Sequence, residues 1–421
     1  MKTKNRCFIG YSLLLLMVLI MGIILSCASP ATTPQSPVQP QGQPSEEEAK
    51  VLDIGVLAAL TGFGSEAMKI NAHGSEVARD WINENGGIDV KGQKYKINLI
   101  IEDNKCTADG AVAAANKLVY DKNVKFVIGG VMPHVLIAEA TVTEPNKVLR
   151  VAVYNNTSDD INATTTPYTF IAHNGTIGGV NSSLAYIADY RPEVKTVVTV
   201  SDELTKTTSA PMFMKKAQEN GLKAIEPVIT WNQQMIDYAP LVTKAVSYNP
   251  DSIALINGWP GLQGGILKIA RESGHDNLMF CCNYHDIEDI VEVAGKSAST
   301  NFVTQGVAPN DPEMPPLMRE VLNRLQSEYG HSRIFYAEMG FGGVWCLAQA
   351  IEAAQSLDPE VVKDTWEKMD TMKTLYGTAL MGGQQTFGMR HQVCSPMRIT
   401  GLDNGKIVPL AWIDAEELYI P

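Results

Sequence analysis

The chain lacks the local signatures of most enzyme classes. It has no G-x-S-x-G elbow, no G-x-x-x-x-G-K-[ST] phosphate loop and no H-E-x-x-H helix. Gly62-Phe63-Gly64 follows an apolar run, but the third glycine of a dinucleotide fingerprint is missing and the turn continues as Gly-Ser-Glu. Because triads assemble in space, an external hydrolase stays open as a rival class. Positive charge is also short: 34 Lys and Arg against 46 Asp and Glu leave a net charge of -12 with no basic stripe. That argues against nucleic acid as a partner. Paired CxxC ligands and a disulfide framework are missing too. No cofactor is expected.

The amino terminus carries the only targeting pattern. Lys2, Lys4 and Arg6 precede an apolar stretch, Leu13 to Leu25, and Ile24-Leu25-Ser26-Cys27 has the form of a lipoprotein cleavage site. Residues 1–26 are therefore expected to be removed as a signal peptide, leaving Cys27 as a lipidated first residue. The alternative is an uncleaved membrane anchor. The lipoprotein reading places the protein outside the cytoplasmic membrane, and either reading leaves the body tethered at its amino end. Residues 27–49 are rich in Pro, Gln, Ser and Thr, a composition that cannot bury a core and so reads as a linker. Without the three basic residues of the leader the net charge becomes -15. Of the seven cysteines, setting aside Cys7 and Cys27 leaves Cys106, Cys281, Cys282, Cys346 and Cys394. An odd number means at least one is free.

The rest of the chain alternates short apolar runs with helical spacing. Val51 to Leu57 reads as a strand, a glycine-containing turn and a long helix follow, and Gly86-Gly87 stops the helix before a second strand, Tyr95 to Ile101. Short, largely apolar stretches that read as strands recur at Val124 to Ile128, Leu149 to Val153, Thr196 to Val200, Ala224 to Ile229, Ser252 to Ile256, Leu278 to Cys281 and Phe302 to Gln305. Such runs suit strands buried on both faces of a parallel sheet. Helical patterns fill the gaps, among them Ile177 to Tyr190, Leu262 to Glu272 and Ile287 to Ala294. Two series of this kind make an α/β fold of two parallel-sheet, Rossmann-like lobes. The first is expected over 50–170, completed by about 315–375, and the second over 171–314, completed by about 376–421. Repeated crossing between lobes would make a multi-strand hinge.

Ligands of open α/β sheets sit at the carboxyl ends of strands. The sequence places Met68, Pro133, His134, Tyr154, Asn155, Asn156 and Thr157 there from the first lobe. From the second it places Thr207, Trp259, Tyr284 and His285, with Tyr336 near the crossover. Asparagine and threonine can donate to a carboxylate or amide, although Asn155 to Thr157 also fit an ordinary turn. Trp259 before Pro260 offers a flat apolar wall or a cover for the core. His285 is a cleft-edge residue or a plain surface one. Cys281-Cys282 with His285, and His391-x-x-Cys394, contain zinc- and copper-ligand types, but adjacent strand residues point to opposite faces. Buried strand cysteines are therefore expected, with no metal.

Three stretches also carry a family resemblance. Leu60-Thr61-Gly62 after the first strand, the Ile82-to-Ile88 helix end (INENGGI) and Glu102-Asp103 after the second strand resemble type 1 periplasmic binding proteins of the leucine/isoleucine/valine class, the solute receptors of ABC importers. The resemblance implies a small-molecule ligand, permease subunits as membrane partners, and no catalysis. A sensor module of the same fold is the alternative. It also implies a disulfide after the second and third strands, for which Cys106 is present but Met132 stands where its partner would be. Thr157 matches the family's carboxylate loop and Trp259 its later aromatic. Pro133 stands in place of a serine, Ala67 of an aromatic residue, and Lys206-Thr207-Thr208 of a Tyr-Gly turn. The carboxylate that pairs an amino acid's ammonium falls near Tyr284 and His285, with Asp286 only adjacent. The expected ligand is an amino acid, an amide or an aromatic or aliphatic carboxylate; a buried ammonium without a partner is costly, which favours one lacking the α-ammonium, such as a carboxylate, an amide or a urea-like compound.

Overall fold

The computed structural model describes residues 49–421 apart from 63, 131, 155–160, 204, 233 and 284–285. Its first pass comprises β1 (Lys50–Ala58), α1 (Ser65–Glu84), β2 (Ile88–Val90), β3 (Gln93–Asp103), α2 (Ala108–Asn116), β4 (Phe126–Gly129), α3 (Pro133–Thr143), β5 (Leu149–Ala152) and β6 (Thr169–Ile171). The chain then crosses to α4 (Gly175–Tyr190), β7 (Thr196–Asp202), α5 (Ser209–Glu219), β8 (Lys223–Trp231), α6 (Ala239–Ser247), β9 (Ser252–Ile256), α7 (Pro260–Glu272), β10 (Leu278–Cys281), α8 (Ile287–Ala294) and β11 (Phe302–Gln305). It returns with α9 (Pro316–Tyr329), α10 (Ile334–Ala354), α11 (Pro359–Trp366), β12 (Thr371–Thr374), β13 (Gly377–Gly382), α12 (Gln384–Phe387) and β14 (Gln392–Cys394). A hairpin of β15 (Met397–Asp403) and β16 (Lys406–Ile413) follows.

These strands form two sheets, each the basis of one lobe. The first has nine strands in the order β12-β13-β14-β6-β5-β4-β1-β3-β2, and the second seven in the order β16-β15-β11-β10-β9-β7-β8. Their central strands run parallel and are covered on both faces: β4, β5, β9, β10 and β11 are buried at every position, with Arg150 of β5 and Gln305 of β11 among the buried residues. Antiparallel strands are confined to the margins. The two-lobed α/β architecture expected from the sequence is thus the one found.

Among the described residues the chain passes between sheets three times, at 172–174, 306–315 and 395–396. The last crossing differs from the one read from sequence. The change to the second lobe was placed at about residue 376, yet β13 and β14 hydrogen-bond within the first sheet, with Gln392 opposite Ile171. These strands are short and glycine-flanked, so their pairing partner is set by space rather than by pattern.

The first lobe is held by an unusually close helix pair. A Cβ added to Gly74 of α1 would sit 1.9 Å from the Ala337 carbonyl of α10, and one on Gly340 would sit 2.0 Å from the Asn71 carbonyl. Both glycines are there because backbone meets backbone. Helix α10 is apolar enough to cross a membrane by length and composition, but 83% of its apolar window is buried inside the protein. It is a core helix.

Candidate functional site

The turn after β1 shows how the shared stretches work. Asp103, at the end of β3, accepts from the Leu60 and Thr61 amides at 2.9 and 3.3 Å and from the Thr61 hydroxyl at 2.5 Å. It also accepts from the Lys105 amide at 2.9 Å. Burial would raise the Asp103 pKa, but the Thr61 hydroxyl and the three amides outweigh it and hold the carboxyl below its usual range. Gly62 has φ 86° and lies against the Lys105 carbonyl, where a Cβ would be only 2.8 Å away. The Leu-Thr-Gly and Glu-Asp stretches therefore fix two neighbouring strand ends to each other.

Beyond that turn, the first-lobe wall is built from apolar and hydroxyl-bearing side chains. Met68 is buried with Ala59, Cys106, Val135 and Ala138, and Met132 and Tyr336 pack against the same cluster. Met132 thus packs against the cluster that contains the free, buried Cys106. Pro133 opens α3 at a position whose N–H needs no intrahelical partner, and His134 Nε2 lies 3.0 Å from the Cys106 carbonyl. Tyr154 approaches Thr176 of the second lobe, hydroxyl to hydroxyl, at 3.4 Å and stands 5.5 Å from the His173 ring. Burial pushes the Tyr154 phenol up to about 12. Burial also raises Tyr336, helped by the nearby Asp286 and by Tyr154. Tyr154, Tyr336 and Asp286 are therefore electrostatic neighbours, although they come from β5's end, α10 and α8's start.

The second-lobe wall carries the larger aromatic surface. Trp259 caps α7 in extended conformation and meets the buried Trp231 edge-on, with ring centroids 4.9 Å apart. It keeps 37% of its surface exposed. Covering the core falls mainly to Trp231. Behind Trp259, Asn283 donates to the Gly258 carbonyl at 2.7 Å and accepts from Gln263 at 3.1 Å, so β9's turn is locked to β10's end. Thr207 is exposed in the turn before α5, while its neighbour Thr205 accepts from Asn257 at 3.0 Å. Helices α3 and α7 begin on opposite lobes at the ends of β4 and β9, and no side chain caps either start. Their first amides supply partial positive charge suited to an anion.

Met68 and Tyr336 pack in one cluster of the first lobe with Tyr154 near Tyr336, and Trp259 stands at the start of α7 in the second lobe. Asn155, Asn156, Thr157, Tyr284, His285 and the side chain of Ala67 lie outside the described residues, as do 1–48 with Cys27. The cysteines have separate fates. Cys281 and Cys282 face opposite sides of the second sheet, in different core clusters, and burial raises both thiols. His391 is held by the Thr169 carbonyl at 2.9 Å and Glu367 at 2.5 Å, and Cys394 is buried in another cluster.

Two groups, one of them spanning the lobes, are not marked as such in the sequence. Asp286 accepts from the Ile334 and Phe335 amides at 3.1 and 3.2 Å, joining α8 of the second lobe to α10 of the first. At the first crossing, His173 Nδ1 accepts from the Gly175 amide at 3.0 Å, leaving Nε2 to donate to Glu338 at 3.3 Å. Burial raises the Glu338 carboxyl. Asp286 had a signal, since an aspartate before an apolar helix reads as a cap; its real partner lies 48 residues away.

Comparison with known proteins places this geometry. The model of the family described as periplasmic binding protein matches residues 51–406. A leucine-, isoleucine-, valine-, threonine- and alanine-binding protein of Pseudomonas aeruginosa is 22% identical over 318 residues, 75% of this chain and 82% of that protein. Among solved structures, an isoleucine-bound branched-chain amino acid transporter substrate binding protein from Streptococcus pneumoniae superposes with a TM-score of 0.70 at 19% identity, covering 86% of this chain and 99% of that one. An ABC transporter solute binding protein from Rhodopseudomonas palustris with 3,4-dihydroxybenzoic acid has a TM-score of 0.69 at 18% identity, covering 87% and 98%. At these identities both structures speak for the fold.

Proposed function

The chain belongs to the periplasmic binding protein family, whose members act outside the cytoplasm, and from that premise we propose that it is a lipid-anchored solute receptor of an ABC importer. Cys27 carries the lipid, the Pro- and Gln-rich stretch after it serves as tether, and the two-lobed body hands its ligand to permease subunits in the membrane. It performs no chemistry on the ligand. The observation that supports this reading is a body of two α/β lobes joined by three chain crossings, with Met68 and Tyr336 packed together on the first lobe and Trp259 half-exposed at the start of α7 on the second. A ligand touching both walls favours the arrangement in which they face each other, and one touching a single wall shifts nothing.

The favoured ligand is an aromatic or aliphatic carboxylate or a small amide, ahead of an α-amino acid. The uncapped starts of α3 and α7 suit an anionic or carbonyl group, and the aromatic side chains suit a flat body. Asp286, whose charge acts on Tyr336, already receives two backbone amides. An ammonium buried here would have to compete with them. Isothermal titration of the soluble body with leucine, isoleucine, benzoate, 3,4-dihydroxybenzoate and short amides tests the reading. Micromolar or tighter binding of a carboxylate or amide is expected, and comparably tight leucine binding would reject the ligand class.

A further inference from the structure

Helix α10 has 21 residues, and its N-cap residue, Arg333, supplies no side-chain cap. The first amides of such a helix need acceptors, and they carry the positive end of its dipole. Here the acceptor comes from the other lobe. Asp286 stands at the start of α8, whose Ile287, Ile290 and Ala294 are buried in the second lobe's outer core. Its Oδ1 receives both Ile334 and Phe335, the first two residues of α10. A second bond runs alongside, Arg333 to Asp289 at 2.9 Å, half-exposed and correspondingly weak. Asp286, Ile334 and Phe335 line one crevice with Gln305, Gly306 and Tyr376, so the contact lies beside the middle chain crossing.

We propose that Asp286 is a positioning residue for ligand binding: by capping α10 across the lobe boundary it sets the angle at which the two walls face each other. This rests on the receptor reading above for its use, but not for its geometry. A capping acid on the same lobe would stabilise the helix and leave the angle alone. One on the opposite lobe is broken or strained by any rotation that parts α8 from α10. The contact is thus a non-covalent tie added to the three covalent crossings.

The tie is also sensitive to protons. Burial pushes the Asp286 carboxyl up to about 7, with the Phe335 amide pulling against it and Glu288 and Asp289 of α8 adding to it. Facing it from α10 are Arg333, which favours the charge, and Tyr336, with Tyr154 behind. If parting the lobes returns Asp286 to solvent and to the ordinary aspartate range, the tied state holds the extra proton. The tie's contribution is then fully present below the aspartate range and falls away as pH rises toward 7, by at most about tenfold per pH unit. Asparagine keeps the accepting oxygen and removes the titration. Alanine removes both.

The test compares the wild-type soluble body with Asp286→Asn and Asp286→Ala between pH 5 and 8. Amide hydrogen exchange at Ile334 and Phe335, corrected for intrinsic rates, and the radius of gyration from solution scattering are measured without ligand, and titrations with benzoate and isoleucine follow. Expected are a pH-dependent radius in the wild type, a pH-independent one in Asp286→Asn with protection retained, and at least tenfold faster exchange with a changed radius in Asp286→Ala. Any ligand that binds should dissociate faster from Asp286→Ala. A radius in Asp286→Ala equal to the wild type's at every pH overturns the proposal, even if exchange quickens, because that pattern belongs to a cap that holds only its helix. Failure of both probes to bind the wild type would instead count against the receptor reading and leave the scattering and exchange results standing.

Discussion

Asp103 accepts four hydrogen bonds from residues on either side of one strand end, and it does so with a depressed pKa. Asp103→Ala leaves those donors to water and is expected to cost about 1–3 kcal/mol of stability, read from urea denaturation at pH 7. Because the folded pKa lies below the unfolded one, this contribution is present above the ordinary aspartate range. It is lost as pH falls through the depressed value, so the gap between wild type and Asp103→Ala should shrink at pH 3. A fully buried pair makes a different case. Arg150 donates to the Leu136 carbonyl at 2.6 Å and stands 3.3 Å from Glu139, and both side chains are inaccessible to solvent. Arg150→Ala should cost about 3–5 kcal/mol, while a double replacement of Arg150 by Met and Glu139 by Leu should recover most of it. Equal losses in the single and double variants would contradict that account.

Between elements, the closest approach in the first lobe depends on two missing side chains. Gly74→Ala and Gly340→Ala each force α1 and α10 apart, and each is expected to cost about 2–3 kcal/mol. Thermal denaturation checks this, and because α10 also carries Tyr336 and the amides held by Asp286, ligand affinity should fall in the same variants. The elements themselves were legible to very different degrees. Ser252–Ile256, Leu278–Cys281, Phe302–Gln305 and Ile287–Ala294 match the sequence reading to the residue. The first three are short strands buried at every position, and the fourth is a helix that opens after Asp286 and ends at Gly295. Ile88–Val90 and Thr169–Ile171 escaped because three residues carry no period. The helix Pro359–Trp366 escaped despite a usable signal, since Asp358 caps it by accepting from the Glu360 amide and Pro359 takes its first position.

For the whole molecule, the two walls should act together. Trp259→Ala removes a half-exposed ring that leans on Trp231, so the fold should persist by circular dichroism while affinity for the cognate solute falls about tenfold, or ~1–2 kcal/mol. Unchanged affinity would remove Trp259 from the site. A ligand that binds the paired lobes should raise their unfolding free energy, by about 2.7 kcal/mol at a hundred times its Kd. Of the site itself, the sequence supplied the residue types at strand ends. Met68, Tyr154 and Tyr336 are far apart in the chain, and the structure sets Met68 and Tyr336 in one cluster with Tyr154 near Tyr336. The cross-lobe role of Asp286 and the His173–Glu338 pair are not legible in the sequence, because their partners lie 48 and 165 residues away; the local cap pattern at Asp286 points to its own helix and not to α10.

What the sequence by itself determined is the order and nature of the parts. Apolar runs bounded by glycine and polar turns can bury both faces only in parallel sheets, and two such series are too long for a single sheet, so two α/β lobes follow. Tertiary structure alone decided where the lobes exchange chain, which short strands join which sheet, and which carboxylate spans the boundary. Those outcomes depend on non-local contacts. The hydrogen bonds from Ile334 and Phe335 to Asp286 arise only when two separately patterned segments have already been packed side by side.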